Sequence, residues 1–148
     1  MSNKLVDLFT GAVTPGVYRL GSRARATAIA DQAANYGWRC FHLDGRQIVS
    51  KADFLRVCAG VMQFPRYFGA NWDAQEDSLR DLAWAPAQRG YLVLYDHVER
   101  FALAQPEEFA TALDVLRSAV ESWRTTATPM IVLLRGMGRA AVGAPKLS

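Results

Sequence analysis

Tyr91-Leu92-Val93-Leu94-Tyr95 is an unbroken apolar run with no alternation of polar and apolar positions. A strand with one wet face alternates, whereas a strand covered on both faces does not; runs of this kind belong to parallel sheets flanked by helices. Met130-Ile131-Val132-Leu133-Leu134 is a second such run. Between the two, Phe109, Leu113, Leu116, Val120 and Trp123 recur at helical spacing, behind a first turn containing Pro106, Glu107 and Glu108. That pattern predicts a long amphipathic helix with a start suited to its dipole. Val98–Ala104 adds a short helix ahead of it. Strand, helix and strand in this order form a right-handed crossover unit, and the class is α/β.

The same alternation extends upstream. Trp38–Leu43 reads as a strand, closed by the turn signal Asp44-Gly45. Ser50-Lys51-Ala52-Asp53 has capping-box spacing, and the helix it opens carries Phe54, Val57, Cys58, Val61 and Met62 on one face. Val17–Leu20 is a further strand. Ser22 is placed to cap a helix running to about Tyr36, with Ala26, Ile29, Ala33 and Tyr36 on one face and Gly37 as its stop. Residues 1–16 read mainly as an irregular lead-in. The expected sheet has four parallel strands in chain order, with the first at an edge. The 148 residues fit one domain, in which 1–37 form a strand–helix extension and 135–148 a flexible tail. Removing the extension is expected to lower stability without disturbing the rest.

Composition excludes several classes. At 51% hydrophobic and 21% charged the chain is globular, and no apolar run is long enough to span a bilayer. Met1–Asp7 lacks the apolar core of a signal peptide, so a cytoplasmic location is expected. Cys40 and Cys58 are then expected as free, buried thiols. His42 shares one side of its strand with Trp38 and Cys40 and reads as a core histidine. His97 follows a strand end, where α/β enzymes place chemistry, but no phosphate loop, nucleophile elbow or metal-ligand spacing accompanies it. No enzyme activity, metal or cofactor is expected. The net charge is +3, although Pro65–Ala85 carries −2 and the remainder +5. No run of adjacent bases occurs, so direct nucleic-acid binding is not expected.

The segment that carries a function is Phe64-Pro65-Arg66-Tyr67-Phe68-Gly69-Ala70-Asn71-Trp72-Asp73-Ala74-Gln75-Glu76-Asp77-Ser78-Leu79. Asn71 is an N-cap residue, and the helix it starts runs to about Ala83. Asp73, Asp77 and Asp81 stand at i, i+4 and i+8 and form one stripe, while Trp72, Leu79 and Ala83 fall on the face to be buried. Like charges at this spacing cost about 0.2–0.5 kcal/mol per pair, so the stripe gains nothing locally. One explanation is a solvated face with Glu76 and Arg80 paired. The other is a cationic partner, with Tyr67, Phe68 and Trp72 as an aromatic rim beside charged anchors. Gly69 lets the backbone approach that partner closely.

This segment resembles the barstar family, small inhibitors of barnase-type ribonucleases. The residues that carry the likeness are Pro65, Tyr67-Phe68, Gly69, Asn71, Trp72, Asp73, Ala74, Asp77 and Leu79; from about Arg39 to Leu134 it rests on element order. The resemblance implies a barstar-like sheet of three strands, here with an extra N-terminal edge strand. It also implies an immunity protein, monomeric when free, that occludes a small ribonuclease or other cationic protein. Asp77 resembles the main phosphate-mimicking acid, Asp73 its neighbour one turn earlier, and Tyr67 the aromatic over the partner's catalytic histidine. The full expected contact set is Tyr67, Phe68, Gly69, Asn71, Trp72, Asp73, Glu76, Asp77, Arg80 and Asp81. Glu76 stands where the family has a contact tryptophan, and Ser118 where it has an acid on the later helix. The alternative is a barstar-fold module that regulates a partner other than a nuclease.

Overall fold

The computed structural model describes residues 4–65, 70–140 and 142–147. Its elements are α1 (Lys4–Phe9), β1 (Val17–Arg19), α2 (Ala26–Asn35), β2 (Trp38–Asp44), a 3-10 turn (Gly45–Gln47), α3 (Lys51–Val61), α4 (Trp72–Asp81), β3 (Gly90–Asp96), α5 (Glu99–Ala104), α6 (Pro106–Trp123) and β4 (Met130–Leu134). The four strands form one parallel sheet, as the two apolar runs require. Every residue of β3 and β4 is buried.

The spatial order is β1-β4-β3-β2, not the chain order expected. β1 does lie at an edge, but against β4. Handedness and burial together account for this. The path β2→β3→β4 crosses the sheet in one direction, and α3 to α6 cover one face. The path β1→β2 runs the opposite way, so a right-handed crossover puts α2 on the other face. There α1 and α2 cover Leu92, Leu94, Ile131 and Leu133 with Leu5, Leu8, Phe9, Ile29 and Ala33. Pairing β1 beside β2 would hold α2 over one edge and leave those four side chains wet, at about 1.5–3 kcal/mol each. The opposite face packs Phe41, Leu43, Tyr91, Val93, Tyr95, Val132 and Leu134 against α3 to α6.

Two terminal segments depart from expectation. The lead-in contains α1, whose Leu5, Leu8 and Phe9 are buried; six residues were too few for a periodic signal to stand out. The segment expected as a loose tail is docked. Arg19 N–H donates to the Pro145 carbonyl and Leu147 N–H to that of Arg19, both at 2.8 Å, and Leu147 is buried. Edge strand β1 offers free backbone groups on its outer side, and residues 144–147 satisfy them. Ser22 does not cap α2. Its Oγ accepts from the Ala24 amide, and Arg25 stands at the N-cap with no side-chain bond.

Asp96 closes β3 and ties strand ends together. Arg135 Nε donates to Oδ1 at 2.5 Å and Nη2 to Oδ2 at 2.9 Å. His42 Nε2 lies 2.9 Å from Oδ2 with its side chain 37% exposed, so it is a partner of Asp96 and not a core histidine. Arg135 Nη1 donates to the carbonyls of Ser22 and Ala24, which fastens the loop after β1 to the ends of β3 and β4. Burial works to raise the Asp96 pKa, but Arg135 and then His42 outweigh it and hold the carboxyl below its ordinary 3.8. The stabilisation is therefore complete above that ordinary value and is lost as pH falls through the lower folded one. Asp96→Asn is expected to cost about 1.5–3 kcal/mol at neutral pH. In a series of melting temperatures against pH it should also flatten the acid limb; an unchanged acid limb would disprove the linkage.

Candidate functional site

Helix α4 is set by its two ends. At the first, Asn71 Oδ1 accepts from the Ala74 amide at 2.8 Å. At the second, Leu82 turns into the left-handed region at φ 49 and buries its side chain, which ends the helix at Asp81 and not at Ala83. Ala83 is consequently exposed. Gln63, Ala70 and Leu82 bracket the helix with positive φ, as does His97 elsewhere. Each is a conformation that costs a residue with a Cβ about 1–2 kcal/mol, and it persists because the surrounding packing imposes it. Leu79 sits in the core, and Trp123 Nε1 donates to its carbonyl at 2.8 Å. Trp84 Nε1 donates to the Met62 carbonyl at 2.8 Å, anchoring the exit from the helix to the end of α3.

On this mount Asp73, Asp77, Arg80 and Asp81 are all exposed. Asp81 Oδ1 accepts from the Ala83 amide at 3.3 Å. Among the described residues Asp73, Asp77 and Arg80 have no side-chain partner. The Glu76–Arg80 pair of the solvated-face explanation does not form. Glu76 is half-buried, and its Oε1 accepts a short hydrogen bond from Ser118 Oγ on α6. The two positions that depart from the family pattern therefore touch each other, and Ser118 fixes the rotamer of the Glu76 carboxylate.

Trp72 turns inward and does not form an outer rim. Its ring lies 5.9 Å from that of Phe54, its Nε1 donates to Glu108 Oε2 at 3.1 Å, and Lys51 Nζ sits 5.5 Å from the ring centroid. Lys51 and Glu108 were missed as neighbours of the site, whereas Ser118 had been placed beside it by the family resemblance. Glu108 read as a complement to the helix dipole, and nothing local marks Lys51. Tyr67, Phe68 and Gly69 lie outside the described residues.

Beneath α4 lies a buried polar cluster that the sequence did not announce. Gln75 is fully buried, and among the described residues neither its Nε2 nor its Oε1 has a hydrogen-bond partner; the same holds for the Tyr95 hydroxyl. The Cys58 thiol, pushed up to about 12 by burial, lies against Gln75 but is a weak partner. Burial also raises the Tyr95 hydroxyl, with Cys58 adding to the effect. An unsatisfied buried polar group costs about 1–3 kcal/mol. Gln75→Met keeps the length and removes both amide atoms, so it is expected to raise stability by about 1 kcal/mol in a denaturant melt. A fall in stability would mean that the amide is satisfied.

Both thiols are free. No helix among the described residues is long and apolar enough to cross a membrane, and none of their His, Cys, Asp and Glu side chains form a group that could hold a metal ion. The chain matches the Barstar (barnase inhibitor) family over residues 38–135, which includes all of α4. It matches no curated protein. Its fold is similar to the Aeropyrum pernix ORC2 protein in ADPNP–ADP complexes (TM-score 0.55, 18% identity, 89% of this chain covered). The ADP form of that protein gives 0.54, 17% and 97%. The chain spans only 37% and 39% of those two ORC2 chains, and at such identity the likeness concerns the fold alone.

Proposed function

The chain belongs to the barstar family, and from that premise we propose that it inhibits a ribonuclease by setting the carboxylates of α4 into the enzyme's active site. The observation that carries this reading is the row Asp73, Asp77 and Asp81, exposed along a helix whose other side is held to α3 and α6. A ribonuclease gathers Arg, Lys and His to hold RNA phosphates. Carboxylates presented on a fixed helix meet the same cations and exclude RNA. A preorganised helix also loses little conformational freedom on binding, which favours affinity.

The overall charge of +3 gives little long-range attraction to a basic enzyme, so association relies on the local −2 of the Pro65–Ala85 segment. Glu76, pinned by Ser118, adds a carboxylate on the flank of the row where the family carries a tryptophan. That single difference favours a second reading, a cationic target other than a barnase-type enzyme. The test is an RNA-cleavage assay with purified barnase-type ribonucleases titrated with this protein. Stoichiometric inhibition that disappears in an Asp73→Ala, Asp77→Ala double variant is expected. Inhibition unaffected by that double variant would refute the carboxylate mechanism.

A further inference from the structure

The carboxyl end of an open α/β sheet forms a crevice where neighbouring connections leave toward opposite faces. Here the chain leaves β1 for the face covered by α1 and α2, and leaves β3 for the face covered by α5 and α6, with β4 between them. A cavity of about 320 Å³ opens at that divergence. The loop after β1 contributes Ser22, Arg23 and Ala24; the end of β3 contributes Asp96 and His97; the end of β4 contributes Arg135 and Gly136. No residue of α4 lines the cavity.

The charges in the crevice are not balanced. Arg135 is spent on Asp96 and on the Ser22 and Ala24 carbonyls, so the two form a neutral wall. Arg23 is exposed and has no partner among the described residues, which leaves one cation over. The Ser22 hydroxyl accepts from the Ala24 amide at 3.1 Å, so its own proton is free to donate outward. His97 is exposed and held at φ 55. Gly136 packs so closely on it that a Cβ there would stand 2.9 Å from the His97 Cα. The imidazole therefore projects from a backbone clamped between two strand ends.

We propose that this crevice binds a small phosphorylated metabolite, with its phosphate between Arg23, Ser22 and His97. A guanidinium, a hydroxyl and an imidazole from two loops suit a tetrahedral anion that accepts on several oxygens better than a planar carboxylate. The volume stands at the lower end of small-molecule sites and leaves room for a sugar beside the phosphate.

The test is a titration of amide chemical shifts with inorganic phosphate and with ribose 5-phosphate. Saturable shifts centred on residues 22–24, 97 and 136 are expected, with Kd on the order of 1 mM or tighter for the sugar phosphate. Arg23→Ala and His97→Asn should each weaken binding about 10-fold or more, the loss of one hydrogen-bonding contact to the phosphate. Asn tolerates the left-handed backbone, and both side chains are exposed, so melting temperatures should hold. Shifts that never saturate, or that spread over the basic surface, overturn the proposal. So does an unchanged affinity in the Arg23→Ala, His97→Asn double variant.

Discussion

A chain lacking residues 1–37 is expected not to fold to a soluble monomer. The sequence alone pointed to a milder loss, with the extension as an accessory edge. The structure makes it the cover of an entire sheet face: without α1, β1 and α2, the side chains of Trp38, Leu92, Leu94, Ile131 and Leu133 meet water. At about 1.5–3 kcal/mol per large apolar side chain, an upper bound for a realistic unfolded state, this loss rivals the whole ~5–15 kcal/mol stability of a domain. Circular dichroism melting and binding of a hydrophobic dye to the truncated chain provide the measurement. A cooperative melt near that of the full chain would show that the face is covered in some other way. Ile29→Ala is the graded companion. It leaves the fold in place and should cost about 2–5 kcal/mol, because Ile29 is almost fully buried between α2 and the sheet.

On the proposed mechanism, Asp77→Ala is expected to weaken binding to a cationic partner by about 30-fold or more while leaving the melting temperature nearly unchanged. Asp77 is exposed, mid-helix and without a side-chain partner among the described residues, so little folded-state energy depends on it. Its removal even relieves repulsion from Asp73 and Asp81, by about 0.2–0.5 kcal/mol per pair. In the complex the same removal strands desolvated cations of the partner, which costs about 2–5 kcal/mol. The loss should fall mainly on the dissociation rate. Asp73→Ala should follow in rank. Ser118→Ala has a smaller effect, through release of the Glu76 carboxylate that its hydroxyl holds. Calorimetry on the partner, paired with a melting curve, decides the matter: an Asp77→Ala protein that binds as tightly as wild type would sink the phosphate-mimic mechanism.

What the sequence disclosed, and what it hid, follows from the range of the interactions involved. Tyr91–Tyr95 and Met130–Leu134 announced a two-sided parallel sheet because burial on both faces removes alternation, a local signature. Asn71 and Ser50 announced their helix starts for the same reason, and both cap as expected. Strand order was not legible, since β1 could pair with either sheet edge without a change in its own composition. It is decided by which face lacks a cover, a property of residues about 75–115 positions away, at the scale over which crossovers act. Trp72 was read both as part of the buried face and as part of a rim, and the structure bears out the first reading. An aromatic next to a carboxylate row reads as a rim until Phe54 and Glu108, from two other helices, are known to hold it. Gln75 escaped notice because a glutamine among charged neighbours gives no sign that it points inward.

The pairing of Val17 with Val132, and of Arg19 with the backbone of residues 145–147, bears on biosynthesis. A ribosome adding roughly 5–20 residues per second emits β1 many seconds before β4 exists. Throughout that interval the first strand has no neighbour, and α1 and α2 have only β2 and β3 to rest on. Closing so distant a contact is also slow in refolding, because loop entropy must be met before the strand pair can reward it. The nascent chain thus carries an apolar sheet face in need of shelter until its last strand is made. The supply of folded molecules would then be set by completion of the chain, not by its initiation.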